Sequence, residues 1–201
     1  MIYRFEDLEF DIPSTVYEPA EDSELLALYA KRARGGRVLD VGCGCGMQAI
    51  VCAKSNPYSK VVGVDVNPDA VFASRRNAEN NRVKNCEFFI SDLFYALSNT
   101  KFDTIIFNPP YLPTEKSDKI KGALNTAVDG GPDGRKVIDR FLTLVKPHVA
   151  PKGSILMLDS SLDNTDKTME ALRSMGFEAS VLQKVSVFFE SLSVIEAVSR
   201  E

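Results

Sequence analysis

The chain has no tryptophan, a single histidine and no large excess of charge of either sign. Each shortage excludes something. With 24 basic against 28 acidic side chains the formal net charge is −4, which argues against a protein that holds nucleic acid mainly by neutralising phosphates. His148 stands alone at the end of the helical run Phe141-Leu-Thr-Leu-Val-Lys-Pro-His148, so a Ser-His-Asp triad has no evident partners. The four cysteines, Cys43, Cys45, Cys52 and Cys86, do not pair into CxxC knuckles. No intrinsic metal site is expected, and reduced thiols in the cytoplasm are the simplest reading. No apolar run approaches the roughly 18 residues that span a bilayer. Residues 1–11 alternate charged and apolar side chains rather than forming a secretory leader.

What is present is 201 residues, 44% of them hydrophobic, enough for one domain to bury most of its apolar surface. Runs of strand period alternate with runs of helical period, the pattern of strands joined by crossover helices. The pattern predicts strands at 37–41, 60–65, 86–90, 102–107 and 154–158. Helices are predicted at 47–54, 69–81, 135–149 and 165–175, the third of these with Val137, Ile138, Phe141, Leu142 and Val145 on one face. Asn67-Pro68 opens the second helix and Gly176 stops the last. Strand-like runs at 177–184 and 193–198 lie too close for a parallel crossover and read as an antiparallel hairpin. The expected architecture is a single open α/β domain over 1–201, with an N-terminal segment and an added helix (22–33) in 1–34 and the core in 35–201.

In such a sheet, ligands sit at the carboxyl ends of the strands near the switch in strand order. The first strand runs into Asp40-Val-Gly-Cys-Gly-Cys-Gly46, a glycine turn that opens a helix. Its spacing is not the G-x-G-x-x-G of dinucleotide enzymes, and a carboxylate before the first glycine would repel a pyrophosphate. No Gly-Lys-Ser/Thr follows, which excludes a Walker A loop. Asp65 ends the second strand, where a carboxylate can accept from both hydroxyls of a ribose. Asp92 follows the third, where it can accept from an exocyclic amine while Leu93 and Phe94 cover a flat ring. Each carboxylate alone reads as a solvated strand end or a helix cap, but three in register with three consecutive strands point to one ligand.

Asn108-Pro109-Pro110-Tyr111 ends the fourth strand. An amide or aromatic amine nitrogen is a weak nucleophile because its lone pair is delocalised. If the Asn108 side-chain oxygen and the Pro109 carbonyl each accept one N–H, the nitrogen is held with its lone pair directed at an incoming electrophile. The prolines stiffen the turn, and Tyr111 can lie against a planar acceptor.

The carboxylate array resembles the S-adenosylmethionine site of the Rossmann-like class I methyltransferases, which implies a seven-stranded, mostly parallel sheet with an antiparallel C-terminal hairpin strand. On that resemblance Asp40 and Gly42 lie near the methionine part, Asp65 at the ribose, and Asp92 with Leu93 at the adenine. The NPPY turn resembles that of methyltransferases acting on planar NH2 groups: glutamine side chains, adenine N6 and guanine N2. Two further segments narrow the likeness. Val16-Tyr-Glu-Pro-Ala-Glu-Asp-Ser23 and residues 127–141, from Ala127-Val-Asp-Gly-Gly-Pro-Asp-Gly to Arg140-Phe141, are similar to those of the HemK-type N5-glutamine methyltransferases, in their short archaeal and eukaryotic branch. That branch lacks the N-terminal helical domain of the bacterial enzymes.

The resemblance implies S-adenosylmethionine as cofactor and, as substrate, the Gly-Gly-Gln loop of a class I peptide release factor in translation termination. It also implies a small zinc-containing activator subunit as partner. Ser23 would touch the cofactor, Asn108 would border it, and Asn108, Pro109 and Tyr111 would hold the glutamine amide. From the residues alone, Asp22 or Ser23 also reads as the N-cap of the added helix. Val128-Asp129 departs from the family pattern, where an aromatic or small residue is expected. The glycines from Gly130 to Gly134 read as a helix lead-in rather than a phosphate cradle, and Cys43 and Cys45 lack the basic neighbour of a reactive thiol. Residues 88–90 and 93–95 read as core. An N6-adenine or N2-guanine methyltransferase acting on nucleic acid is the alternative, to be recognised by steep salt dependence of binding. A noncatalytic binding module is a third reading, against which the complete acceptor turn and carboxylates argue. The charge balance tilts the choice towards a protein loop.

Overall fold

In the computed structural model, which describes residues 1–33, 35–114 and 127–200, the alternation of strand and helix becomes a seven-stranded sheet with helices on both faces. Arg34, at the expected boundary between N-terminal segment and core, lies outside the described residues. In chain order the elements are β1 (Ile2–Phe5), β2 (Leu8–Asp11), α1 (Glu21–Ala30), β3 (Arg37–Val41), α2 (Met47–Ser55), β4 (Lys60–Asp65), α3 (Pro68–Asn80), β5 (Cys86–Ile90) and β6 (Phe102–Phe107). There follow α4 (Lys136–Val145), a 3-10 turn (Lys146–His148), β7 (Val149–Ser160), α5 (Thr165–Ser174), β8 (Phe177–Val187) and β9 (Glu190–Ser199).

The strand order is β5-β4-β3-β6-β7-β9-β8. The first five strands of that order run parallel, and β9 is antiparallel to both β7 and β8. The chain moves outward from β3 to β5 and then returns to place β6 on the other side of β3. The order therefore switches between β3 and β6, and the ends of those two strands carry the glycine turn and Asn108. Because both faces are covered, neighbouring residues of one strand enter different cores. Val38 and Ile106 pack under α1, α2 and α3 with Leu26, Ile50 and Val71. Leu39 and Ile105 pack on the other face with Ile138, Phe141 and Leu172. Each such fully buried side chain contributes roughly 2 kcal/mol of transfer free energy.

Several sequence expectations change. The helix expected over 135–149 ends at Val145, and the 3-10 turn carries Pro147, which cannot continue an α-helix. Strand β7 then starts at Val149, which pairs with Phe102, well before the expected 154. His148 is structural: its ring stacks on Phe94 at 4.5 Å and its Nδ1 lies 3.0 Å from the Thr100 carbonyl. The alternation in residues 1–11 is a strand signal, and it forms the β1–β2 hairpin. Asn77 of α3 and Asn81 at its C-cap hold that hairpin, each accepting a backbone N–H and donating to a backbone carbonyl of β2. The added helix is shorter than 22–33, and its N-cap is Ala20, not Asp22 or Ser23, which lie inside its first turn. Of the segments read as core, Phe88, Leu93 and Phe94 are buried, whereas Phe89, Ile90 and Tyr95 are exposed. Strand β5 is an edge strand, so its outward residues lack a neighbour on one side.

Candidate active site

A cavity of about 550 Å³ opens at the carboxyl ends of β3, β4 and β6, and its lining includes Ser23, Asp40, Gly42, Asp65, Asp92, Leu93, Asn108, Pro109 and Tyr111. These residues are brought to one hollow, whereas Phe94, expected beside Leu93 as cover for a flat ring, packs in the core against Phe141 and His148. The volume is in the range of small-molecule and cofactor sites.

The turn after β3 is fixed from both sides. Gly46 has φ of +87°, and a Cβ there would come within 2.7 Å of Ser74 Cβ on α3, so glycine is needed for the helices to approach. The Asp65 carboxylate accepts from the Gly44 N–H at 2.9 Å and from the Asn67 N–H at 2.8 Å, which clips the glycine turn to the end of β4. Burial pushes its pKa up, partly offset by those backbone donors. Asp40, fully enclosed, accepts from the Ala49 N–H at 3.0 Å and so caps the start of α2. Burial, with a smaller contribution from the Asp65 charge, pushes it up to about 8. Asp92 is exposed enough to meet solvent and forms an ion pair with Arg140 of α4 at 2.7 Å. Burial raises the thiols of Cys43 and Cys45, the latter to about 12, so neither is a poised thiolate.

At the other end of the cavity the Asn108 amide is oriented by a group that the motif does not contain. Its Nδ2 donates to Asp22 Oδ2 at 2.9 Å and lies 3.5 Å from Ser23 Oγ. Asp22 is nearly buried, and its other oxygen accepts from the Ser23 N–H at 2.6 Å, the Ser23 hydroxyl at 3.2 Å and the Tyr17 hydroxyl at 3.3 Å. With the NH2 group engaged, Asn108 Oδ1 is left buried with no hydrogen-bond partner among the described residues. A buried acceptor without a donor costs on the order of 1–3 kcal/mol. A donor in the cavity would satisfy it. Gln48 resembles it: Nε2 donates to the Ser23 carbonyl at 3.3 Å and Oε1 is buried without a partner. Burial and the nearby Asp22 charge raise both Tyr17 and Tyr111 above the ordinary tyrosine value, so both phenols remain donors.

The acceptor turn is propped from beneath. Leu112 bridges to Asp129, the Gly130 N–H donates to the Leu112 carbonyl at 3.0 Å, and Thr114 N–H donates to the Gly131 carbonyl at 2.8 Å. Gly134 has φ of +75°, and a Cβ there would lie 2.4 Å from the Tyr111 carbonyl oxygen. The segment read as a helix lead-in does lead into α4, and it also presses on the backbone of Tyr111. Behind it, buried Arg135 donates to Asp139, to the Asp163 and Asn164 carbonyls and to Thr168. Sequence reasoning gave Asp22 only a capping role and missed Gln48, Arg135 and Arg140. Asp22 carried a signal in its place beside Ser23 in the motif, whereas the others have no local pattern that marks them.

Comparisons with known proteins agree with one another. Residues 19–129 match the family model described as "Methyltransferase small domain". A protein named as a protein N5-glutamine methyltransferase from Methanocaldococcus jannaschii is 43% identical over 197 residues, covering 98% of each chain. Methyltransferase HEMK2 of Homo sapiens is 31% identical over 192 residues, covering 91% of this chain and 89% of that one. Among solved structures, the E. cuniculi Mtq2-Trm112 complex, described as responsible for methylation of the eRF1 translation termination factor, superposes with a TM-score of 0.71. Its identity is 25%, with coverage of 92% of this chain and 99% of that one.

Proposed function

The chain belongs to the methyltransferase small domain family and, within it, to the HemK-type protein glutamine methyltransferases, and from this we propose that it methylates the N5 amide of a glutamine in the Gly-Gly-Gln loop of a class I peptide release factor. It is an S-adenosylmethionine-dependent enzyme with the α/β class I methyltransferase fold. The observation that carries the substrate reading is the Asn108 amide, turned by Asp22 so that its buried Oδ1 has no donor among the described residues.

The cavity suits this cofactor. S-adenosylmethionine supplies an electrophilic methyl group on a sulfonium when bound. Asp65 spends one hydrogen bond per oxygen on the backbone, and a carboxylate has about four acceptor sites, so it retains capacity for a ribose diol. Asp92, with one oxygen on Arg140, faces the cavity beside Leu93, where it suits an adenine amine. Asp40 and Gly42 bound the methionine end, with Ser23 at the border between cofactor and acceptor.

At the acceptor end, Asn108 Oδ1 takes one N–H of the glutamine amide and the Pro109 carbonyl takes the other. Asp22 makes a charge-assisted hydrogen bond to Asn108 Nδ2, which draws negative character towards Oδ1 and strengthens its grip as the amide nitrogen gives up electron density. The amide nitrogen becomes acidic only as its bond to the methyl carbon forms and the bond from that carbon to sulfur breaks, so its proton can pass to water afterwards and no strong base is needed beforehand. Tyr111 covers the planar group. The described lining carries Asp22, Asp40, Asp65, Asp92 and Asp129 against Lys136 and Arg140. That sign of charge disfavours a polyanionic substrate and supports a protein loop over a nucleic acid.

A small activator subunit, which we take to hold zinc, completes the proposed assembly, and the cytoplasm is its proposed compartment. No helix among the described residues is long and apolar enough to cross a membrane. The test is peptide mass spectrometry of the release factor after incubation with the purified protein, its activator and S-adenosylmethionine. A gain of one methyl on the glutamine of the Gly-Gly-Gln loop is expected. An unmodified glutamine, with methylation of RNA or DNA instead, would overturn the reading.

A further inference from the structure

The turn between β8 and β9 breaks the rules of its own geometry. Val187 pairs with Glu190, leaving Phe188-Phe189 as a two-residue hairpin turn. Such turns favour Asn-Gly or similar residues, because at least one position needs positive φ. Phe188 adopts φ of +31°, a region costly for a bulky side chain. Packing does not compensate, since Phe188 is 97% and Phe189 98% exposed. A chain that gives up turn stability and solubility at one place has a use for the side chains there.

Topology sets where they stand. Strand β9 is antiparallel to β7, so its first residue lies at the carboxyl edge of the sheet, the edge that carries the cavity. Ser160, the last residue of β7, pairs with Leu192, and the hairpin continues through Ser191 and Glu190, so that Phe189 lies three residues beyond Leu192. At about 3.3 Å per residue, the tip stands on the order of 10 Å above that edge. Its base is tied to the site: Glu190 accepts a hydrogen bond from the Ser160 hydroxyl, and Ser161 and Ser191 exchange backbone and hydroxyl hydrogen bonds at 2.9 Å. Below the tip, Val185 and Val187 pack against the same core cluster as Tyr111.

We propose that Phe188 and Phe189 form a docking clamp for the folded body of the substrate protein, engaging an apolar hollow on its surface outside the loop that carries the acceptor glutamine. This rests on the reading of a protein glutamine as acceptor. A loop that reaches Asn108 must bring its parent domain over the carboxyl edge, where the tip projects. A free base or a small amide would end inside the cavity and never meet it. Two aromatic side chains offer 150–250 Å² each by ordinary measure, roughly the scale of an interface hot spot.

The double variant F188G/F189N supplies glycine where φ is positive, so its thermal stability is expected to match or exceed that of the wild type. Calorimetric binding of the intact release factor should weaken about tenfold or more, with a parallel rise in KM and little change in kcat. A peptide spanning only the acceptor loop should show no such change. Tyr58→Ser, which removes an equally exposed aromatic at the opposite edge, just before β4, should leave the intact factor's binding as it was. Binding of the intact factor within about twofold of wild type overturns the clamp while leaving glutamine methylation in place. An equal loss for peptide and intact factor also overturns it, because the cavity itself would then have changed. A wild-type dimer that dissociates in the variant assigns the tip to a second copy and overturns it likewise. A wild type that methylates no glutamine removes the reading beneath it, and the clamp with it.

Discussion

The two ends of the cavity are built on different terms. At the cofactor end, the carboxylates are already engaged: Asp65 by two backbone N–H groups, Asp40 by the cap of α2 and Asp92 by Arg140. At the acceptor end, Asn108 Oδ1 has no donor among the described residues, and the parts come from three distant segments around Asp22, Asn108 and Asp129. The first end is pre-organised by the sheet itself and needs little from its ligand to stay in shape. The second presents an acceptor atom that an N–H donor in the cavity can satisfy, and this is where we place selectivity.

The largest expected effect breaks the cofactor end. Asp65→Ala removes the hydrogen bonds that clip the glycine turn as well as the proposed ribose acceptor. Two charge-assisted bonds at about 1.5 kcal/mol each predict a loss of roughly a hundredfold in S-adenosylhomocysteine affinity. Calorimetry is the check, and affinity within a few-fold of wild type would remove Asp65 from the cofactor site. Asn108→Ala breaks the acceptor end alone. Cofactor affinity should survive while transfer falls more than tenfold, equivalent to at least about 1.4 kcal/mol of transition-state stabilisation. If both variants lose cofactor together, the division into two ends is wrong.

Asp22→Ala makes the comparison finer. The variant retains the Asn108 side chain but releases its NH2 group, so the amide can turn and present the wrong edge to the substrate. We expect kcat to fall about five- to tenfold with unchanged cofactor affinity. A value of kcat equal to wild type would reduce the Asp22–Asn108 hydrogen bond to a crystal-clear but idle contact.

The same division explains what the sequence disclosed. The cofactor end is written in local patterns, a strand followed by a glycine turn or a carboxylate, and Asp40, Gly42, Asp65, Asp92 and Leu93 all reach the cavity as expected. The acceptor end depends on contacts between residues far apart in the chain. Asp22 bonds Asn108 across 86 positions, and no periodicity announces it; at the cofactor end the one such contact is Arg140 to Asp92, across 48. Strand centres were legible because apolar runs mark them, and β5 and β6 fall at the expected residues. Boundaries failed where a single residue decides them, as with Pro147 at the end of the α4 region. The β1–β2 hairpin was hidden because its alternation was read only for what it excluded.

The smallest expected effect concerns stability beneath the acceptor turn. Asp163, buried behind Gly134, is crowded by Asp159 of β7, while Arg135 and the Ser160 N–H partly offset the repulsion. Burial and the Asp159 charge push Asp163 up to about 8, from 3.8 for the free side chain. The folded state therefore binds a proton that the unfolded chain has released. By linkage this contribution is fully present below about pH 4 and is lost as pH rises through about 8. Asp163→Asn keeps a carbonyl acceptor for the Ser160 N–H but cannot ionise. Between about pH 5 and 9, the wild-type Tm should fall by a few degrees relative to that of the variant. Asp40, also pushed up to about 8, titrates in both proteins and cancels in the difference. Parallel Tm curves would mean that the pair beneath the acceptor turn carries no titrating strain, and that the cost at this end resides in Asn108 alone.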